Sequence, residues 1–244
     1  MRPCELKGMD KRQEDILSAI ISEYQKTGQP VASAVLAKKY GFGLSPATMR
    51  SQMLTLDKEG FLEQPHTSAG RVPTTKAYRF FVNKILERQG GDSVSSEKIK
   101  RNLQKFDAGK DFSYSLAQFL AEFSHNLGLS GSFGREIDFH GAGLSFLLED
   151  PEFNHPSDML DILHGFDSLE KKFTELFEEL NQDIEIFIGE ENPIDDFREC
   201  SLIVSRYDFD NEAGVLGILG PKRMNYAKNI SLVEETKKAL RKKN

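Results

Sequence analysis

The sequence predicts an α+β fold in two parts, and three observations carry that prediction. Over residues 10–58, apolar residues recur at helical spacing in three successive stretches. A short segment rich in Pro, Gly and Ser, PHTSAGRVP, then breaks the helical pattern and reads as a hairpin. Further on, three short apolar runs separated by polar loops precede a last amphipathic helix, and helices on an antiparallel sheet make an α+β domain.

The first helix spans residues 10–26 by the spacing of Ile16, Leu17, Ile20, Ile21 and Tyr24, and Thr27-Gly28-Gln29-Pro30 ends it. Ser33 is placed to cap a shorter second helix that runs to Lys39 and buries Val35 and Leu36. Tyr40-Gly41-Phe42-Gly43 is a glycine-containing turn into a third helix. That helix starts at Ser45, whose hydroxyl can cap it, with Pro46 in the first helical position, where a missing N–H costs nothing. Met49, Met53 and Leu56 fall at i, i+4 and i+7 on one buried stripe, leaving Thr48, Ser51, Gln52 and Thr55 elsewhere on the surface. Three helices followed by a basic-tipped hairpin form a winged helix-turn-helix. In that arrangement the second helix crosses a DNA backbone and the third enters the major groove.

This reading selects nine candidate DNA contacts. Ser45, Thr48, Arg50, Ser51 and Gln52 are expected at the DNA-facing end of the third helix, where free N–H groups hold a phosphate and side chains beyond reach base edges. His66, Thr67, Ser68 and Arg71 are expected to touch backbone or minor groove from the wing. The alternatives are a structural salt bridge for Arg50 and a purely structural hairpin stiffened by Pro65 and Pro73.

Charge supports a polyanionic partner for the N-terminal part. Residues 1–89 hold 14 Lys and Arg against 9 Asp and Glu, whereas residues 90–244 hold 18 against 29. A basic domain binds DNA largely by neutralising phosphates and releasing counterions, and the acidic remainder faces solvent or protein. The chain contains no apolar run long enough to span a membrane and no signal-peptide core, so a cytoplasmic location is expected. Cys4 and Cys200 lack metal-type spacing, and the five histidines form no ligand pattern. The carboxylate pairs Glu190-Glu191 and Asp195-Asp196 fall in solvated loops, and no nucleophile with its base is recognisable. Neither catalysis nor a cofactor or metal is expected.

Past the hairpin, Tyr78, Phe81, Val82, Ile85 and Leu86 mark an amphipathic helix that Gln89-Gly90-Gly91-Asp92-Ser93 breaks. The expected domains are therefore residues 1–89 and 90–244. Helical stretches follow around Ile99, Leu103 and Phe106, then around Leu116, Phe119, Leu120, Phe123 and Leu127. Glycines at 128, 131, 134, 141 and 143 bar a helix and leave room for at most a short strand over residues 137–139. They imply close backbone approach, in tight turns rather than a ligand cradle, since no phosphate-binding glycine spacing occurs. From Ser157, a seam of Ile162, Phe166, Leu169, Phe173, Leu176 and Leu180 is too short for a coiled coil and is expected to pack on the chain's own sheet. Strands are expected at residues 184–188, 201–207 and 215–219. A closing helix over residues 226–240 turns Ile230, Val233 and Leu240 inward.

The segments RQEDILSAIISEY, TGQPVASAVLAKKYGFGLSPATMRSQM, LDKEGFLEQPHTSAGRVPTTKAYRFFVN and GILGPKRMNY resemble those of HrcA, the bacterial repressor family of heat-shock chaperone operons. Ser51, Thr75 and Ala77 depart from the family's Asn, Asp and Gly, which bears on base contacts rather than on fold. The resemblance implies a GAF-like second domain interrupted by a dimerising insertion, here lost between Leu127 and Ile137. It also implies an inverted-repeat double-stranded operator, a homodimer, and dependence on the GroE chaperonin. The competing reading is a ligand-sensing or protein-interaction module whose winged domain does not repress heat-shock genes.

Overall fold

The computed structural model describes residues 9–87, 97, 99, 101, 112–133, 137–153, 155–180, 184–209 and 212–241. The chain divides into two compact units, Met1–Asn83 and Lys84–Asn244. The expected linker at residues 89–93 and the helix around Leu103 and Phe106 lie outside the described residues.

In the first unit, α1 (Lys11–Thr27), α2 (Ser33–Lys39) and α3 (Pro46–Lys58) precede a hairpin of β1 (Leu62–Glu63) and β2 (Val72–Pro73), and α4 (Thr75–Glu87) follows. Asp10 caps α1 reciprocally with Gln13: the Gln13 N–H donates to Asp10 Oδ1 (2.8 Å) and the Asp10 N–H to Gln13 Oε1 (3.1 Å). Ile16, Leu17, Ile20 and Ile21 of α1 pack in a core with Leu36, Met49, Met53 and Leu56. Glu23, also buried, accepts hydrogen bonds from Lys39 Nζ (2.7 and 2.9 Å) and Tyr40 Oη (2.8 Å). Those two donors, Lys39 foremost, hold its carboxyl below the ordinary carboxylate range. The network ties α1 to the far end of α2. Two expectations are corrected here. Ala32, not Ser33, is the α2 cap residue and makes no side-chain cap bond, and Val35 stands 42% exposed while Leu36 alone is buried.

The second unit is built on a five-stranded antiparallel sheet of order β4-β3-β7-β6-β5. Its strands are β3 (Leu127–Phe133), β4 (Ile137–Ala142), β5 (Glu185–Ile188), β6 (Cys200–Phe209) and β7 (Glu212–Pro221). One face presents Leu127, Leu129, Leu202, Val204, Val215 and Leu219 to α6 (Leu144–Leu148) and α7 (Pro156–Glu179). The other, by strand alternation, meets α5 (Phe112–Ser124) and α8 (Tyr226–Arg241). Ile162, Leu169 and Leu180 of the α7 seam lie inside the core cluster, as the expected packing on the sheet requires.

The glycine-rich stretch is the main correction to the expected fold. It forms two full strands, β3 and β4, and adds them to one edge of the sheet. The reason lies in Gly128: a Cβ there would come within 2.1 Å of the Ala117 carbonyl oxygen, so the missing side chain lets α5 lie directly on β3. Leu127, expected on the helix, is the first residue of β3. The GILGPKRMNY stretch also has a structural role. The Arg223 guanidinium donates to both oxygens of Asp150 at 2.7 Å, Asn225 Oδ1 caps α8 by accepting from the Lys228 N–H, and the Tyr226 hydroxyl donates to the Lys222 carbonyl. These bonds fasten the end of β7 to the start of α8 and to the loop after α6.

Candidate nucleic-acid interface

Sequence fixes the start of α3 locally. The Thr48 N–H donates to Ser45 Oγ (3.1 Å), Ser45 Oγ lies 2.9 Å from Thr48 Oγ1, and Pro46 occupies the first turn. With Met49, Met53 and Leu56 buried, the opposite side of α3 faces out. Ser45, Thr48, Arg50 and Ser51 are exposed, and Arg50 makes no ion pair among the described residues. Its guanidinium is thus available to an outside anion. Gln52 is half-buried and lies on the flank of the exposed face, about 110° around the helix from the side opposite the buried stripe, at ~100° per residue.

The wing is held in shape by its own bonds. Gln64 Nε2 donates to the carbonyls of Thr67 and Ala69, each at 3.0 Å, and the Ala69 N–H donates to the His66 carbonyl (2.8 Å). His66, Thr67 and Ser68 are exposed at its tip. At its base, Val31 and Arg71 exchange two backbone hydrogen bonds of 2.9 Å as an isolated antiparallel bridge. Gly70 makes this approach feasible, because a Cβ there would fall 2.4 Å from the Val31 carbonyl oxygen.

Arg71 is placed differently from the other wing residues. Its side chain is only 14% exposed, with Nε 2.5 Å from Asp57 Oδ2 in the last turn of α3. The ion pair joins wing to recognition helix, and part of the Arg71 charge is already neutralised within the unit. Between wing and helix lies a cleft of about 300 Å³ lined by Arg50, Leu54, Gln64, Thr67, Ser68 and Arg71, among others.

Sequence reasoning overlooked three residues here. Asp57 and Gln64 position the wing, and nothing local in sequence marks either. Leu54 was detectable: it falls off the Met49, Met53, Leu56 stripe and is 42% exposed on the Arg50 and Ser51 side. Elsewhere, no group of three or more metal-ligating side chains occurs among the described residues. Cys200 is buried, and desolvation pushes its thiol far above the ordinary range. No helix among the described residues is long and apolar enough to cross a membrane.

A tri-helical unit with an exposed polar face on its third helix and a braced hairpin beside it defines the class: a winged helix-turn-helix DNA-binding transcription regulator. Residues 9–105 match the family model described as winged helix-turn-helix transcription repressor, HrcA DNA-binding, and residues 75–230 match that of the HrcA protein C terminal domain. The chain belongs to the HrcA family. The heat-inducible transcription repressor HrcA of Carboxydothermus hydrogenoformans is 26% identical, with 95% of this chain and 97% of that protein covered. That of Natranaerobius thermophilus is 29% identical, with 92% and 94% covered. The first alignment runs over 332 residues, of which this 244-residue chain supplies about 232 (95%), so about 100 positions of the relative have no counterpart here. A crystal structure of a hypothetical protein shares the fold with a TM-score of 0.76 at 18% identity, covering 98% of both chains.

Proposed function

We propose that the chain represses transcription by placing the exposed face of α3 in the major groove of an operator while the wing tip meets the adjacent backbone or minor groove. The observation that carries this reading is Arg50, exposed and without an ion-pair partner among the described residues, on a face flanked by Ser45, Thr48 and Ser51 and across a cleft from Thr67 and Ser68. Arg50 and Ser51 reach base edges. Ser45 and Thr48, at the helix start, hold a phosphate, and Gln52 contributes from the flank. His66, Thr67 and Ser68 contact the sugar-phosphate backbone, and Arg71 acts chiefly by fixing the wing against Asp57.

The relatives are heat-inducible repressors, and the chain is proposed to act in the cytoplasm on heat-shock chaperone operons, with no catalytic activity. An inverted-repeat operator is matched by a two-fold protein, so a homodimer is proposed. About 100 positions of the relatives are absent, and on this reading they include the dimerising insertion. Ile162, Leu169 and Leu180 of the α7 seam are buried, so the surfaces offered to a second copy are the outward side of α7, with Leu160 at 54% and Leu163 at 42% exposed, and α4, with Leu86 at 42%. Dependence on the GroE chaperonin is carried over from the family resemblance. Purified chaperonin should raise the operator-competent fraction.

The deciding experiment is retention of the full chain on an inverted-repeat duplex and on its isolated half-site across a salt series. Binding that falls steeply with salt, prefers the full repeat and is weakened by Arg50→Ala supports the reading. Equal retention on unrelated DNA, unmoved by Arg50→Ala, refutes it.

A further inference from the structure

The α3 face proposed to enter the groove has an apolar centre. We propose that Leu54 reads the 5-methyl group of a thymine there, an inference that rests on α3 being the DNA-reading helix. Four observations lead to it. Leu54 is 42% exposed although it sits in the middle of a 13-residue helix. It lies three and four residues after Ser51 and Arg50, so the three side chains neighbour one another on one surface. Ala47, also exposed, lies two turns N-terminal on the same side and leaves the leucine unobstructed. Leu54 lines the cleft of about 300 Å³ with Arg50 beside it and Thr67 and Ser68 opposite.

An isolated surface leucine needs no explanation, but its setting gives this one a partner. Its neighbours are a cation without an ion pair among the described residues and hydroxyls, in a region where Lys and Arg outnumber Asp and Glu by 14 to 9. That charge suits a polyanion rather than an apolar protein surface. On the major-groove edge of DNA, thymine alone presents a methyl group. Leucine pairs favourably with that methyl. Against the amino group of cytosine or adenine it strips water and returns no hydrogen bond, so it discriminates by exclusion as well as by attraction. Arg50, four residues earlier, is then placed to read a neighbouring guanine through O6 and N7.

The test uses the full chain. Duplexes are selected from a randomised library, and the preferred duplex is remade with each thymine replaced singly by deoxyuridine, which removes only the methyl. Wild-type affinity should fall about fourfold at one thymine of each half-site, the loss for one apolar carbon returned to water. Leu54→Ala should bind the thymine and deoxyuridine duplexes equally, and Leu54→Met should restore the difference in part. Circular dichroism and thermal unfolding of Leu54→Ala, matched to wild type, check that the variant is folded. A wild type indifferent to every deoxyuridine, or a Leu54→Ala variant that loses the same fourfold at the same thymine, overturns the assignment while DNA reading by α3 stands. A chain that enriches no duplex at all overturns both.

Discussion

Replacing Arg71 with alanine separates two roles that a wing arginine can have. If its guanidinium neutralised a phosphate, the variant would weaken binding to all sequences and lower the slope of log K against log salt by about one. The structure places it instead 2.5 Å from Asp57, with the arginine side chain 14% and the aspartate 32% exposed. Such a pair lies between an exposed one, worth ~0–1 kcal/mol, and a buried one whose breaking costs about 3–5 kcal/mol. Truncation leaves the Asp57 carboxylate without its partner, so a loss of about 1–2 kcal/mol in stability is expected. The salt slope should drop by well under one, while preference for the operator over unrelated DNA declines as the wing loosens. Urea unfolding and filter binding from low to moderate salt measure the two effects. Asp57→Asn gives the converse: the freed guanidinium should steepen the salt slope. A variant of normal stability whose slope falls by a full unit refutes the bracing role and makes Arg71 a phosphate contact.

Ser45→Ala removes the α3 cap and should cost about 1 kcal/mol in urea unfolding. Gly128→Ala pushes a Cβ into the backbone of α5 and should destabilise the second unit by about 3 kcal/mol or more, read as an early step in thermal unfolding that leaves the winged unit folded. For Glu23, a folded-state pKa below the unfolded value means that its stabilisation is present above the unfolded carboxylate range and is lost as pH falls through the folded value. Glu23→Gln should therefore flatten the acid limb of the stability profile. An unchanged acid limb would show that the Lys39 and Tyr40 bonds do not set it.

The winged unit was legible in sequence because its signals are local. A cap is a bond between residues three apart, as in Asp10 with Gln13 and Ser45 with Thr48, and a buried stripe is a spacing along one helix. Charge and the outward hydroxyls of α3 pointed to DNA by the same short-range logic. Tertiary structure decided what depends on partners far along the chain. Glycines read as breakers became strand β3 because β7, from residues 212–221, supplies hydrogen bonds along one side and Ala117 of α5 needs the space above Gly128, and β4 then pairs along the other side of β3. Arg71 is paired rather than free because folding brings Asp57 to it from fourteen residues away. Sequence alone determined the apolar faces of α1 and α3 and where those two helices begin. Only the packed fold decided which polar and apolar groups still face outward, since that depends on what every other segment has already covered.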